Sequence, residues 1–170
     1  MTGLSALAEA RWPETPDDVA APSLPGFVVS SFSAIAAEVA RRCLSQRDKT
    51  AAGRPVTAVI IISALGDLAS ARHVADAVDR GGRIGPLLFF QSVPNSVAGH
   101  VAARWQLTGP VVCVADRQSA LDIAALLIED GDADEALLIR VEQACDPDAP
   151  DHTEAILMAV GPSSGERTEP

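Results

Sequence analysis

The chain has no tyrosine, and phenylalanine and tryptophan together supply only 4% of its 170 residues. Any core must therefore be built from Ala, Val, Leu and Ile, a composition suited to helices packed closely on a buried sheet. Basic residues are also scarce, 13 against 23 acidic ones, giving a formal net charge of −10 and a pI near 4.6. Such a surface repels phosphate backbones and anionic membranes, so nucleic acid and lipid are poor partners. Cysteine occurs three times, at Cys43, Cys113 and Cys145, with no C-x-x-C spacing and an odd total. That argues against a disulfide framework and for a reducing, cytoplasmic setting. No apolar run approaches the roughly 18 residues needed to span a bilayer, and the N-terminus shows no basic segment followed by an apolar stretch.

The periodicity places elements along the chain. Residues 1–30 hold Pro13, Pro16, Pro22 and Pro25 and the acidic run Glu14, Asp17 and Asp18, and are expected to form an irregular arm with at most one short strand or helical turn. From Ser31 to Leu44, Phe32, Ile35, Ala36, Val39, Ala40 and Cys43 follow the i, i+3, i+4, i+7 spacing of an amphipathic helix. Val56–Ser63 is a β-branched run of the kind covered on both faces, and Ala69–Asp79 reads as helix up to Gly81 and Gly82. Leu87–Phe90 is a short apolar run after Pro86. Asn95 is placed to cap a helix whose apolar face is Ala98, Val101, Ala102 and Trp105. Val111–Ala115 repeats the buried-strand pattern, and a helix from about Ser119 to Glu129 opens on a capping-box-like Ser119 and Asp122. Strands over Glu135–Val141 and Glu154–Val160 follow, then a polar tail, 161–170, expected to be disordered. Strands alternating with helices over short links predict an α/β layer with at least part of the sheet parallel.

Few motifs carry chemistry. The glycines match neither a phosphate loop nor a dinucleotide fingerprint, and no G-x-S-x-G elbow occurs. Asp132, Asp134 and Glu135 form a charged turn without metal-ligand spacing and are expected to be solvated, so neither a metal nor a cofactor is implied. Cys113, inside an apolar strand, is expected to be a buried, inert hydrophobe. His73 and His100 fall in predicted helices and His152 in an acidic loop, and each is read as a surface or packing residue.

Taken in order, VTAVIIISALGD (56–67) and the segment FFQSVPNSVAGHVAARWQLTGPVVCVADRQSALDIAALLIEDGDADEALLI (89–139) resemble the N-terminal half of a β-ketoacyl synthase of the thiolase-like superfamily. The landmarks are Pro94-Asn95 opening a helix, Gly109-Pro110, the strand leading to a sharp turn, and the Gly131–Asp134 stretch before the next strand. The resemblance covers roughly Phe32–Val160 and implies a single truncated thiolase-like layer, a mixed sheet packed with helices, as one domain over 31–160.

Eight residues beyond Pro110, where the family places its nucleophilic cysteine, stands Gln118, and the helix after it reads about one turn shorter than the family's. Glutamine at this elbow resembles the chain-length-factor subunits of type II polyketide synthases, which pair with an active ketosynthase. Two readings of Gln118 stand: that pattern, or a turn residue of a loop that drifted after activity was lost. The family's catalytic histidines belong to the C-terminal half of the duplicated fold, which this sequence does not reach. The resemblance thus implies no catalytic residue here, but a vestigial nucleophile position at Gln118 and a vestigial pocket of Asn95, His100, Asp116 and Ser119. It implies a non-catalytic accessory subunit of polyketide or fatty-acid-like biosynthesis, partnered by a ketosynthase, a chain-length factor or itself. Residual acyl-thioester hydrolysis or decarboxylation is one alternative. A scaffold for an acyl carrier protein, docking through Arg41, Arg42, Arg47 and Lys49, is the other.

Overall fold

The computed structural model describes residues 3–47, 53–146 and 149–161. Five strands form one sheet: β1 (Leu4–Trp12), β2 (Thr57–Ile62), β3 (Val111–Val114), β4 (Glu135–Glu142) and β5 (His152–Val160). Their spatial order is β1-β5-β4-β2-β3. β2 runs parallel to β3 and β4, whereas β5 is antiparallel to both its neighbours, β4 and β1. The helices are α1 (Ser31–Leu44), α2 (Leu68–Asp79), α3 (Pro86–Gln91), α4 (Pro94–Trp105) and α5 (Arg117–Glu129).

β2 explains the architecture. All six of its residues are buried, and their alternation divides the core in two. Val59 and Ile61 face α1 and α4 with Phe32, Ile35, Val39, Val97 and Leu137. Ala58, Ile60 and Ile62 face α5 through Ala120 and Ala124. Each fully buried Val or Ile contributes about 1.5–3 kcal/mol relative to exposure, so the central strand anchors both layers. α1 begins at the Ser30 cap, whose hydroxyl accepts from Phe32 N, and buries one stripe as its spacing predicts.

The arm differs from expectation at its start. Residues 4–12 form a nine-residue strand with Ala8, Ala10 and Trp12 turned inward, zipped to β5 and interrupted by a register shift between Ala6 and Ala8. The irregular part is confined to 13–30. There Asp18 anchors the chain by accepting from Glu14 N (2.7 Å) and Thr15 N (3.1 Å) and from both terminal nitrogens of Arg42. The Leu87–Phe90 run lies within helix α3, which Pro86 starts. Of the tail expected over 161–170, residues 162–170 lie outside the described residues.

β3 departs from the reading of a strand buried on both faces. It is the edge of the sheet, its side chains alternate between exposed and half-buried, and Cys113 is exposed. A four-residue apolar run has the same composition whether a neighbour covers it or not.

Candidate functional site

The elbow is built where β3 delivers the chain to α5. Asp116 is the N-cap: its carboxylate accepts from Ser119 N at 2.9 Å and from Ser119 Oγ at 2.8 Å. These hydrogen bonds hold its carboxyl below the usual range. The helix therefore opens at Arg117, two residues before the sequence pattern put it, and the cap is Asp116 with Ser119 three residues on, not Ser119 with Asp122. Gln118 lies in the first helical turn, exposed, and donates from Nε2 to Asp122 Oδ1 at 2.8 Å. Arg117 reaches across to Glu154 at 3.1 Å. An amide held in an i, i+4 pair is neither nucleophile nor base.

The other sequence-derived residues do not join this corner. Asn95 is exposed in the first turn of α4, after Pro94, and it is not the cap: Val93 holds that position without a side-chain bond. His100, half-buried on α4, stacks edge-to-face on Phe27 with ring centroids 5.9 Å apart. It lines a cleft of about 220 Å³ between α1 and α4. Because α4 and α5 pack on opposite faces of the sheet, Asn95 and His100 are separated from Asp116, Gln118 and Ser119 by the sheet itself. His73 and His152 are exposed on α2 and at the start of β5. Among the described residues no three His, Cys, Asp or Glu side chains could together hold a metal ion.

Two further expectations change. Glu135 is not solvated: it is 5% exposed, ion-paired with Arg47 and hydrogen-bonded by Thr57 Oγ1 at 2.6 Å. Its position as first residue of a strand beside β2 takes it into the sheet. Nor do the arginines after the middle of α1 form an open basic patch. Arg41 and Arg42 are paired with Glu38, Arg42 also with Asp18 and Glu14, and Arg47 with Glu135. Lys49, the fourth member of that set, lies outside the described residues.

Several exposed apolar side chains fall in one stretch of the sequence. Between Asp79 and Asp116 the sequence has no acidic residue, only Arg80, Arg83 and Arg104, although the whole chain holds 23 carboxylates. That stretch comprises α3, α4 and β3, and it exposes Leu87 (68%), Phe89, Phe90 (73%), Val93 and Val111. The signal was present in the sequence as a gap in the acidic residues. On the opposite face, α5 exposes Arg117, Gln118, Asp122 and Glu129 with Leu126 (55% exposed) among them, and leaves Leu121, Ile123, Leu127 and Ile128 half-buried.

No protein-family model matches the chain, and no curated protein matches its sequence. Solved structures do. A structure of a ketosynthase (ApeO) in complex with its chain length factor (ApeC) from Xenorhabdus doucetiae is similar with a TM-score of 0.71 at 19% identity, over 94% of this chain and 80% of the matched one. The ishigamide ketosynthase/chain length factor is similar at 0.65 and 18% identity, over 85% of this chain and 47% of that one. A β-ketoacyl synthase from Burkholderia phymatum gives 0.65 at 14% identity, over 84% and 46%. The chain thus spans just under half the length of the latter two. Five strands in the order β1-β5-β4-β2-β3 with helices on both faces are, on these matches, the thiolase-like α/β fold of ketosynthases and chain-length factors.

Proposed function

We propose that this chain is a non-catalytic, ketosynthase-like subunit of polyketide or fatty-acid-like biosynthesis, which works by associating with a ketosynthase or chain-length factor. The observation that carries the reading is the set of exposed apolar side chains in the acid-free stretch between Asp79 and Asp116. α3 exposes Leu87, Phe89 and Phe90 by more than half, and β3 is a sheet edge with no strand on its outer side among the described residues, in a chain that is otherwise strongly acidic. Exposed apolar side chains grouped on one short helix are of the kind that marks an interaction site, and an open sheet edge is a template for another strand.

Similarity supports the type of partner. One similar structure is of a ketosynthase in complex with its chain length factor, and another of a type II polyketide synthase acyl-carrier protein in complex with its ketosynthase bound to a hexaketide. Absence of catalysis rests on Gln118: the elbow presents an amide bonded to Asp122, and His100 packs on Phe27 across the sheet. With Arg41, Arg42 and Arg47 already paired, direct docking of an acidic carrier protein on that surface is the weaker reading.

Incubating the purified chain with an acyl N-acetylcysteamine thioester tests the lack of chemistry. Thiol release should stay at the buffer rate and intact-mass spectra should show no enzyme-dependent acyl adduct. Saturable turnover would overturn the proposal and favour residual acyl-thioester hydrolysis.

A further inference from the structure

α2 is secured at one end only. Its N-cap, Asp67, is buried, and the carboxylate accepts from Ser30 Oγ (2.5 Å), Ser70 Oγ (2.7 Å) and Ser70 N (3.0 Å). Ser30 Oγ, the cap of α1, also accepts from Gln143 Nε2 at 3.1 Å, while Gln143 Oε1 accepts from Ala69 N at 3.2 Å. Arg72 adds a bond to Cys145 O at 2.7 Å. These bonds tie the start of α2 to the N-terminus of α1 and to the link between β4 and β5.

Beyond Arg72 the attachment stops. Among the described residues, no group from His73 to Ile84 is hydrogen-bonded outside that segment and the helix it belongs to, and Arg80 pairs only with Asp76 one turn back. Residues 75–85 contain no buried side chain, and only Ala77 and Ile84 among them are half-buried. In α1, by contrast, Ile35, Ala36, Val39, Ala40 and Cys43 are fully buried. Helices below about 12–15 residues are marginal in water and persist chiefly through an apolar face packed on the rest of the protein. α2 has twelve residues with only Ser70 buried, so its second half lacks that support. The helix ends at Gly81, whose φ of +66° lets the chain turn without strain.

We infer that residues 75–85 form a flap, which leaves the body and returns as a unit. The start of α2 stays latched through Asp67, Gln143 and Arg72, and the buried Leu88 holds α3 on the other side. The flap leads directly into α3, so its opening sets how freely the exposed Leu87, Phe89 and Phe90 can shift. The inference rests on the burial and bonding of α2 and stands apart from the proposed association.

Hydrogen exchange followed by mass spectrometry on the full chain alone tests it. Peptides covering 75–85 should be at least about a hundredfold less protected than peptides covering 35–43, because local openings span free energies from near zero up to that of global unfolding. Exchange over 75–85 should also be insensitive to urea up to about 1 M, whereas exchange over 35–43 accelerates with the surface that global unfolding exposes. Asp67→Ala removes the latch and should speed exchange over 69–72 by about fivefold, the scale of a lost helix cap. Protection over 75–85 within about threefold of that over 35–43, or the same urea dependence in both, would overturn the flap. Unchanged exchange over 69–72 in Asp67→Ala would overturn the latch. The wild-type comparison decides the flap whether or not the variant folds.

Discussion

Gly109 stands where the link from α4 enters β3, and its replacement by alanine probes the packing of the edge strand directly. A Cβ there would lie 2.4 Å from Thr57 O, 2.5 Å from Thr57 C and 2.6 Å from Ala58 N. All three are backbone atoms of the fully buried β2, so no side chain can swing aside. Relief requires β2 and the 109–110 link to separate by about 1 Å, which well-packed interiors resist. The separation breaks the Gly109 N–H bond to Thr57 O (3.1 Å) and strains that of Val59 N to Pro110 O (2.9 Å). Overpacking costs about 1–3 kcal/mol and each weakened hydrogen bond about 0.5–1.5 kcal/mol, so Gly109→Ala should lose about 3 kcal/mol. With a urea slope of about 2 kcal/mol/M, the unfolding midpoint falls by about 1.5 M. Gly99, exposed on α4 with no heavy atom within 4 Å of its would-be Cβ, is the matched control. Gly99→Ala should hold or raise the midpoint, because alanine is favoured over glycine by up to about 1 kcal/mol in a helix. A Gly109→Ala midpoint within about 0.3 M of wild type would refute the clash.

Gln118→Ala removes one surface i, i+4 bond and should cost no more than about 0.5 kcal/mol by urea unfolding; a loss above about 2 kcal/mol would mean the side chain is structural. Burial pushes the Cys43 thiol up to about 11, whereas Cys113 and Cys145 are exposed, so iodoacetamide mapped by mass spectrometry should label those two well before Cys43 in the native chain. The Arg42 guanidinium, with Glu14 and Thr15 N–H, holds Asp18 well below the usual carboxylate range. The unfolded chain therefore binds the extra proton, so this stabilisation is complete above about pH 4 and is lost as pH falls further. Urea midpoints measured against pH should decline less steeply in acid for Asp18→Asn than for wild type, and parallel curves would contradict it.

How far the sequence carried this account differs from element to element. α1 was legible to the residue because its apolar stripe is uninterrupted and Ser30 caps it, and β2 because a run of six with five β-branched residues has few other uses. β1 was obscured by its composition: alanines, not β-branched residues, face the core, and the prolines after Trp12 dominate the local pattern. Glu135 read as solvated because its partner, Arg47, is 88 residues away. The start of the helix after β3 was placed within two residues. The grouping of Asn95 and His100 with Gln118 was not testable by spacing, since which face a crossover helix takes depends on topology. β3 read as buried for a reason bearing on function: its side chains suit a covered strand, and in this chain nothing covers its outer edge among the described residues.

The central claim, that the exposed apolar side chains of α3 serve a ketosynthase-type partner, is tested most directly by co-expressing the chain with a ketosynthase encoded beside it and measuring molar mass by light scattering after size exclusion. A co-eluting complex is predicted, lost in the double variant Leu87→Asp and Phe90→Asp, whose targets are exposed and whose change should leave the isolated fold intact. A chain that elutes as a stable monomer at high dilution and ignores the ketosynthase, or a complex indifferent to both aspartates, would contradict the account.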